Sequence, residues 1–145
     1  MDETRCLSEC GGGGSGSSSD EYVIFVSPTD IVLDSAVEYI CPGAIAGFNS
    51  ESVRQYVFPH DATVKAVVMD ISVNSNTNNT IFTLRKNSTD TSSTLTIAGG
   101  SGAGVYTVTN DVDYDKNDLL SLEFDNLLNT ATFTVRSIAI VVRKR

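Results

Sequence analysis

The densest group of side chains able to do chemistry lies between Asp111 and Asp118, where the sequence reads Asp-Val-Asp-Tyr-Asp-Lys-Asn-Asp. Oxygen ligands at alternate positions are typical of the start of an EF-hand calcium loop. The pattern then fails, because Lys116 takes the place of the glycine and Leu122 that of the bidentate glutamate. We therefore predict an acidic loop between strands, turning at Asn117-Asp118, and assign no metal ligand. Calcium at this loop or at a subunit junction stays open as the alternative.

General-base catalysis has one candidate histidine, His60, which stands between Pro59 and Asp61. No nucleophile elbow or other partner signature accompanies it, so a turn histidine at the surface is favoured. Two carboxylates on different strands are the requirement for glycoside hydrolysis, but nothing singles out a pair. The sequence thus predicts no catalytic residue and no enzyme.

The sequence offers equally few candidate residues for binding a metal or a cofactor. Cys6, Cys10 and Cys41 lack a second pair of ligands for zinc, so free thiols are predicted, with a disulfide left open. The run Gly99–Gly104 lacks the Lys-Ser or Lys-Thr of a phosphate loop and precedes a β-like run, Val105–Thr109, instead of a helix. No cofactor is predicted.

Length and charge narrow the possible domain organisation and the possible binding partners. A chain of 145 residues corresponds to one domain, or one domain with a tail, and its net charge of -8 disfavours nucleic acid and anionic lipid as partners. We find no apolar segment typical of a signal peptide or a membrane span, so a soluble protein is expected. Residues 1–20 end in the Gly/Ser-rich run Gly11–Asp20, which predicts a flexible arm, either passively disordered or ordered along a neighbouring subunit.

The elements that must position these residues are strands. Short runs rich in Val, Ile, Thr, Phe and Tyr recur about every ten residues between turn-forming residues, and no helix is predicted. We expect about nine strands, at 22–26, 31–40, 53–58, 64–73, 80–86, 93–97, 105–109, 119–125 and 131–143.

Alternation within these strands predicts a core on one face, with Phe82, Leu84 and Leu122 among its members. The last strand changes phase at Arg136-Ser137, which predicts a bulge there. Residues 138–142 are apolar on both faces, as expected of a central strand or of one covered by another subunit.

An ordered string of motifs covers residues 53–142. Tyr56-Val-Phe-Pro59 leads through a short turn into Val64–Val73, then Thr80-Ile-Phe-Thr-Leu-Arg-Lys-Asn87, Thr-Leu-Thr-Ile at 94–97, and finally Asp-Leu-Leu-Ser-Leu at 118–122. This string resembles a jelly-roll module of virion proteins from tailed phages and other large DNA viruses. The family usually has Gly-Asp where this chain has Asn117-Asp118.

The resemblance implies an antiparallel jelly-roll β-sandwich of about eight or nine strands over residues 21–145, behind the arm of residues 1–20. The same topology class includes the trimeric heads of tumour necrosis factor and complement, so a homotrimer is expected. The implied role is a minor capsid, cement or decoration subunit of a virion, made in the host cell and contacting other capsid proteins. Such modules carry no catalytic residues, and none are transferred here.

The alternative role is a spike or fibre head that binds a host receptor or glycan through its loops. Residues 74–79, 99–104 and 111–118 are the candidate loops. The absence of Trp and the aromatic content of 8% count against a glycan site.

Overall fold

The computed structural model describes residues 20–25, 30–44, 46–127 and 131–145. Within these residues the chain forms one short turn of 3-10 helix, Glu51–Val53, and ten strands. The strands are β1 (Glu21–Phe25), β2 (Ile31–Leu33), β3 (Val37–Ile40), β4 (Tyr56–Val57), β5 (Ala62–Asn74), β6 (Thr80–Lys86), β7 (Thr89–Ile97), β8 (Gly104–Tyr114), β9 (Leu119–Asp125) and β10 (Phe133–Lys144). No helix in the described part of the chain is long and apolar enough to cross a membrane.

The strands form two antiparallel sheets. In sheet A the order is β1-β10-β5-β8, with β2 also paired to β10, and in sheet B it is β3-β9-β6-β7, with β4 also paired to β9. The strand order β2-β10-β5-β8 opposite β3-β9-β6-β7 is that of a double-sheet jelly roll. The predicted jelly-roll β-sandwich is therefore confirmed.

The single strand predicted over residues 31–40 is wrong. It breaks after Leu33, so that β2 lies in sheet A and β3 in sheet B. Polar groups satisfy the backbone at the break: Ser35 N donates to the Glu38 carboxylate (3.0 Å), and the Asn126 side chain donates to Ser35 O (2.9 Å). Both halves bury apolar side chains in the same core, which explains why the sequence pattern looks continuous.

The strand predicted over residues 53–58 is also mostly absent. It is replaced by the end of the 3-10 turn and by the two-residue strand β4. Val53 is 57% exposed in the 3-10 turn, so burial begins only further along, with Tyr56 packed against the core and Phe58 fully buried.

The last strand behaves as predicted. The pairing of β10 with β5 shifts register on both sides of Val135, which leaves Arg136 as the extra residue of a bulge. β10 lies in the interior of sheet A, between β5 and the two strands β1 and β2, in agreement with its apolar character. Arg145, just beyond β10, forms ion pairs with Asp113 (3.4 Å) and Asp115 (2.7 Å).

The core lies between the two sheets. Phe82, Leu84 and Leu122 are fully buried there, as the alternation predicts. Phe124 makes edge contacts with Phe82 on sheet B and a tilted contact with Phe133 on sheet A, at centroid distances of 5.3 and 6.1 Å. Because both sheets use one face for this core, their other faces remain for contacts outside it.

Candidate functional site

The acidic segment 111–118 is not a single loop, and this prediction is wrong for its first half. Asp111 and Asp113 lie within β8, because the pairing of β8 with β5 continues as far as Tyr114 opposite Ala62. Only residues 115–118 form the turn to β9, in which Asn117 has φ 73°.

Each carboxylate of this segment is held by side chains of its own chain. Lys65 pairs with Asp111, while Asp113 accepts a hydrogen bond from the Thr63 hydroxyl (2.6 Å). Asp118 accepts from Asn87 Nδ2 (2.7 Å) and pairs with Lys86 (2.7 Å). The bonds from Lys86 and then Asn87 lower the pKa of Asp118 to about 2.

These pairs leave the segment ill suited to calcium. Across the described residues, no three His, Cys, Asp or Glu side chains are arranged to hold a metal ion. Asp111 and Asp113 project from the outer face of sheet A, whereas Asp118 binds the turn of sheet B, so the oxygens do not converge. Nothing in this geometry supports the calcium alternative.

His60 lies half-buried in the turn between β4 and β5. Its Nδ1 is 3.1 Å from Asp61 O, and its ring meets the Tyr22 ring edge-on at a centroid distance of 5.9 Å. These contacts position the ring for packing, in keeping with the predicted turn histidine.

Of the cysteines, Cys6 and Cys10 lie outside the described residues. Cys41 is a free, half-buried thiol, and burial raises its pKa. A raised pKa keeps the thiol protonated and therefore weakly nucleophilic.

The structure brings two of the three candidate loops together. Residues 74–79 and 99–104 meet at one end of the sandwich, where Gly100 N donates to Asn76 O (2.8 Å) and Asn74 Nδ2 to Ser101 Oγ (3.1 Å). A Cβ on Gly99 would lie 2.3 Å from Thr77 O, so this glycine permits the close approach. The turn at residues 115–118 lies at the opposite end, since β8 runs the length of β5.

A buried polar network at the first end was missed from the sequence. Asn76 Nδ2 donates to Thr80 Oγ1 (2.9 Å) and to Asn126 Oδ1 (3.1 Å), and all three residues are at most 1% exposed. The abundance of Asn in residues 74–79 predicts a polar loop and gives no sign that Asn76 is buried. Only the tertiary fold places Asn126, 50 residues away, beside Asn76.

A second group missed from the sequence lies on the outer face of sheet B. We call it the Arg85 cluster; its members are Arg85 on β6, Asp90 on β7, Ser121 and Glu123 on β9, and Glu51 on the 3-10 turn. Alternation with buried residues predicts a face that is wet or contacts a partner, yet the side chains of Arg85, Glu51 and Glu123 are only 14%, 11% and 15% exposed.

Arg85 uses all of its hydrogen-bonding capacity on the carboxylates of this cluster and on the Ser88 carbonyl. Nε and Nη2 donate to Glu51 (3.0 and 3.4 Å), Nη2 also to Ser88 O (2.6 Å), and Nη1 to Glu123 (2.8 Å) and Asp90. These five contacts match the five N–H groups of a guanidinium. The cation is therefore saturated by its own chain.

Three carboxylates share this one cation, and the pKa values of two of them, Glu51 and Glu123, shift in opposite directions. Burial would raise the pKa of Glu51, but hydrogen bonds from Ser121 and Arg85 outweigh it and hold that pKa below its usual range. Burial raises the pKa of Glu123, because the attraction of Arg85 only partly offsets it. The cluster thus holds Glu51 ionised more firmly than Glu123.

The outer face of sheet A differs entirely. Its central side chains are apolar and adjacent in the strand register. We call them the valine face: Val23 on β1, Ala66 and Val68 on β5, and Ala139 and Val141 on β10. Val23 is 46% exposed, and Val105, beside this face on β8, is 69% exposed.

Comparison with known proteins assigns no family. No protein-family model matches the chain, and no curated protein matches it. Among solved structures, it is similar to part of a ruminal GH26 endo-beta-1,4-mannanase, with a TM-score of 0.38 and 11% sequence identity over 90% of this chain. The chain spans only 20% of the length of that enzyme, so the likeness says nothing about activity.

Proposed function

We propose that this chain is a non-enzymatic structural subunit of a virion, a minor capsid, cement or decoration protein that assembles as a homotrimer and contacts neighbouring capsid proteins. The valine face is the observation that carries the proposal. Adjacent apolar side chains on the outside of a sheet gain free energy when a partner covers them, by about 25 cal/mol per Å² of buried apolar surface. An exposed apolar face of this kind would stabilise the association of subunits.

Local charge pairing favours a second copy as the occupant. A chain of net charge -8 repels its own copies at most of its surface. Around the valine face, however, Asp70 pairs with Arg136 (3.1 Å), Asp111 with Lys65, and Asp113 with Arg145. These pairs reduce the repulsion where two copies would approach.

The arm supplies the proposed contact to other capsid proteins. Asp20, its last residue, is joined to the end of β10 by a hydrogen bond from Lys144 N to Asp20 O (3.0 Å). Asp20 therefore lies at the margin of sheet A, next to β1. Residues 1–19 contain few apolar side chains, so they are poorly suited to cover the valine face themselves.

Light scattering tests self-association directly. We expect a trimer for the full chain and for a truncated chain beginning at Asp20. The double substitution V23D/V105D should give a folded monomer, because it places one charge in the valine face and one beside it. V57D, at an equally exposed valine on β4, is the matched control and should stay trimeric.

Two results would contradict this proposal. A monomeric unsubstituted protein would argue against self-assembly, and a trimer that survives V23D/V105D would argue against the valine face. For the arm, the truncated chain should still form trimers but fail to incorporate into particles. Normal incorporation would exclude a docking role for residues 1–19.

The alternative function, a spike or fibre head that binds a host receptor or glycan, is supported by the adjacency of the loops at 74–79 and 99–104. Asn79 is exposed in the first loop, and Asn79→Ala tests this function. Impaired attachment by particles that assemble normally would favour the receptor role. Unchanged attachment would count against it.

A further inference from the structure

The connection between β3 and β4 crosses the outer face of sheet B, and we call its residues 46–55 the strap. Its 3-10 turn contains no buried residue. Apolar burial therefore contributes little to holding this turn in place. It is attached instead through polar contacts, which makes the attachment sensitive to charge.

Among the residues that the structure describes, three groups of contacts join the strap to the sheet. Tyr39 N donates to Phe48 O (2.8 Å) and Phe48 N to Tyr39 O (3.1 Å), while Gln55 Nε2 donates to Ser88 Oγ (2.9 Å). The third is Glu51, which accepts from Arg85 and from the Ser121 hydroxyl. Glu51 is the only attachment of the three that carries an ionised group.

The partners of Arg85 divide unequally between the strap and the sheet. Glu123 and Asp90, which belong to β9 and β7, stay beside Arg85 wherever the strap lies. If Glu51 departs, the guanidinium keeps two carboxylates and the Ser88 carbonyl. Lifting the strap therefore leaves no uncompensated cation on the sheet, and the opening is local.

We propose that the strap is an electrostatic latch, closed over the outer face of sheet B by the charge on Glu51 and released when that charge is lost. Release uncovers Ser121, which is 1% exposed with the strap in place. The ring of Tyr39, whose centroid lies 5.6 Å from the Arg85 guanidinium carbon, becomes accessible beside it. The molecule would thereby gain a second surface under one set of conditions. This inference goes beyond the proposed assembly and does not depend on it.

Acid is the natural trigger, and the surrounding groups define its course. The charged or titratable groups around Glu51 are Arg85, Glu123, Asp90, Tyr39 and Asp125. Glu123 takes up a proton first, which leaves Arg85 more available to Glu51. The latch opens only when Glu51 itself is protonated.

Hydrogen exchange measured by mass spectrometry on the full chain tests the latch at neutral pH. Glu51→Gln removes the charge at nearly constant size. We expect the strap amides of Phe48 and Arg54 to exchange at least about tenfold faster in this variant, while amides in β6 and β9 keep their protection. Asp70→Asn, which breaks an ion pair on sheet A, is the matched control and should leave the strap unchanged.

Two outcomes would overturn the latch. Equal protection of the strap in Glu51→Gln and the unsubstituted protein would show that its charge does not hold the segment. Faster exchange that spreads equally through β6 and β9 would show that Glu51 stabilises the sheet and not the strap alone. A failure of trimer formation with strap exchange as expected would reject the proposed function and leave the latch intact.

Discussion

The outer faces of the two sheets share one strand pattern and have opposite chemistry. Both alternate with the same buried core, yet sheet A presents the valine face and sheet B presents the Arg85 cluster under the strap. Alternation shows which side chains leave the core. It does not show whether they meet water, a partner subunit or another segment of the same chain.

Substitutions in the core behind both faces should cause the largest loss of folding stability. Phe82→Ala or Leu122→Ala should destabilise the fold by about 2–5 kcal/mol, because each removes a fully buried side chain. Denaturant unfolding measures the change, with Thr94→Ala on the exposed side of β7 as control. A loss below about 0.5 kcal/mol would place these residues outside the core.

Substituting one arginine on each sheet tests whether the two outer faces differ in how far they are covered. Arg85→Met should cost about 1–3 kcal/mol, because it strands buried carboxylates that the guanidinium now satisfies. Arg136→Met on sheet A should stay within about 0.5 kcal/mol, since that side chain is 61% exposed and its ion pairs are screened by water. Equal effects in unfolding experiments would remove the distinction between a covered and an open face.

Acid titration tests a third ionised group, Asp118, in the turn that leads into sheet B. The pKa of Asp118 falls from its usual 3.8 to about 2 in the folded chain. Its ionised form therefore adds stability above pH 3.8, and this contribution is lost as the pH falls from about 3.8 to about 2. The difference in melting temperature between the unsubstituted protein and Asp118→Asn should shrink over that window. A constant difference would mean that the pKa of Asp118 is not lowered by folding.

The smallest expected change in stability belongs to the valine face. When V23D/V105D is compared with the unsubstituted chain as isolated monomers at high dilution, the free energy of unfolding should differ by less than about 0.5 kcal/mol, because both valines are largely exposed. Urea unfolding at several protein concentrations provides the test. A large loss at every concentration would mean that these valines serve the fold and not an interface.

Several features of the fold could be predicted because they depend on neighbours close in sequence. The phase change at Arg136-Ser137 predicted the bulge, and the polar runs predicted the loops at 74–79 and 99–104. The break within residues 31–40 could not be predicted in this way. Its two halves bury their side chains in one core, and the partners of the break, such as Asn126, are distant in the chain.

The same distinction between near and distant partners in the sequence applies to the candidate sites. The sequence by itself determined the class of fold and the faces that enter the core, because these follow from residue type and alternation. Only the tertiary structure decided that Asp111 and Asp118 are separated and that Glu51 meets Arg85, 34 residues along the chain. The physical reason is that the pKa and burial of a polar group depend on the groups it contacts. Pairing between strands that are distant in sequence determines which groups those are.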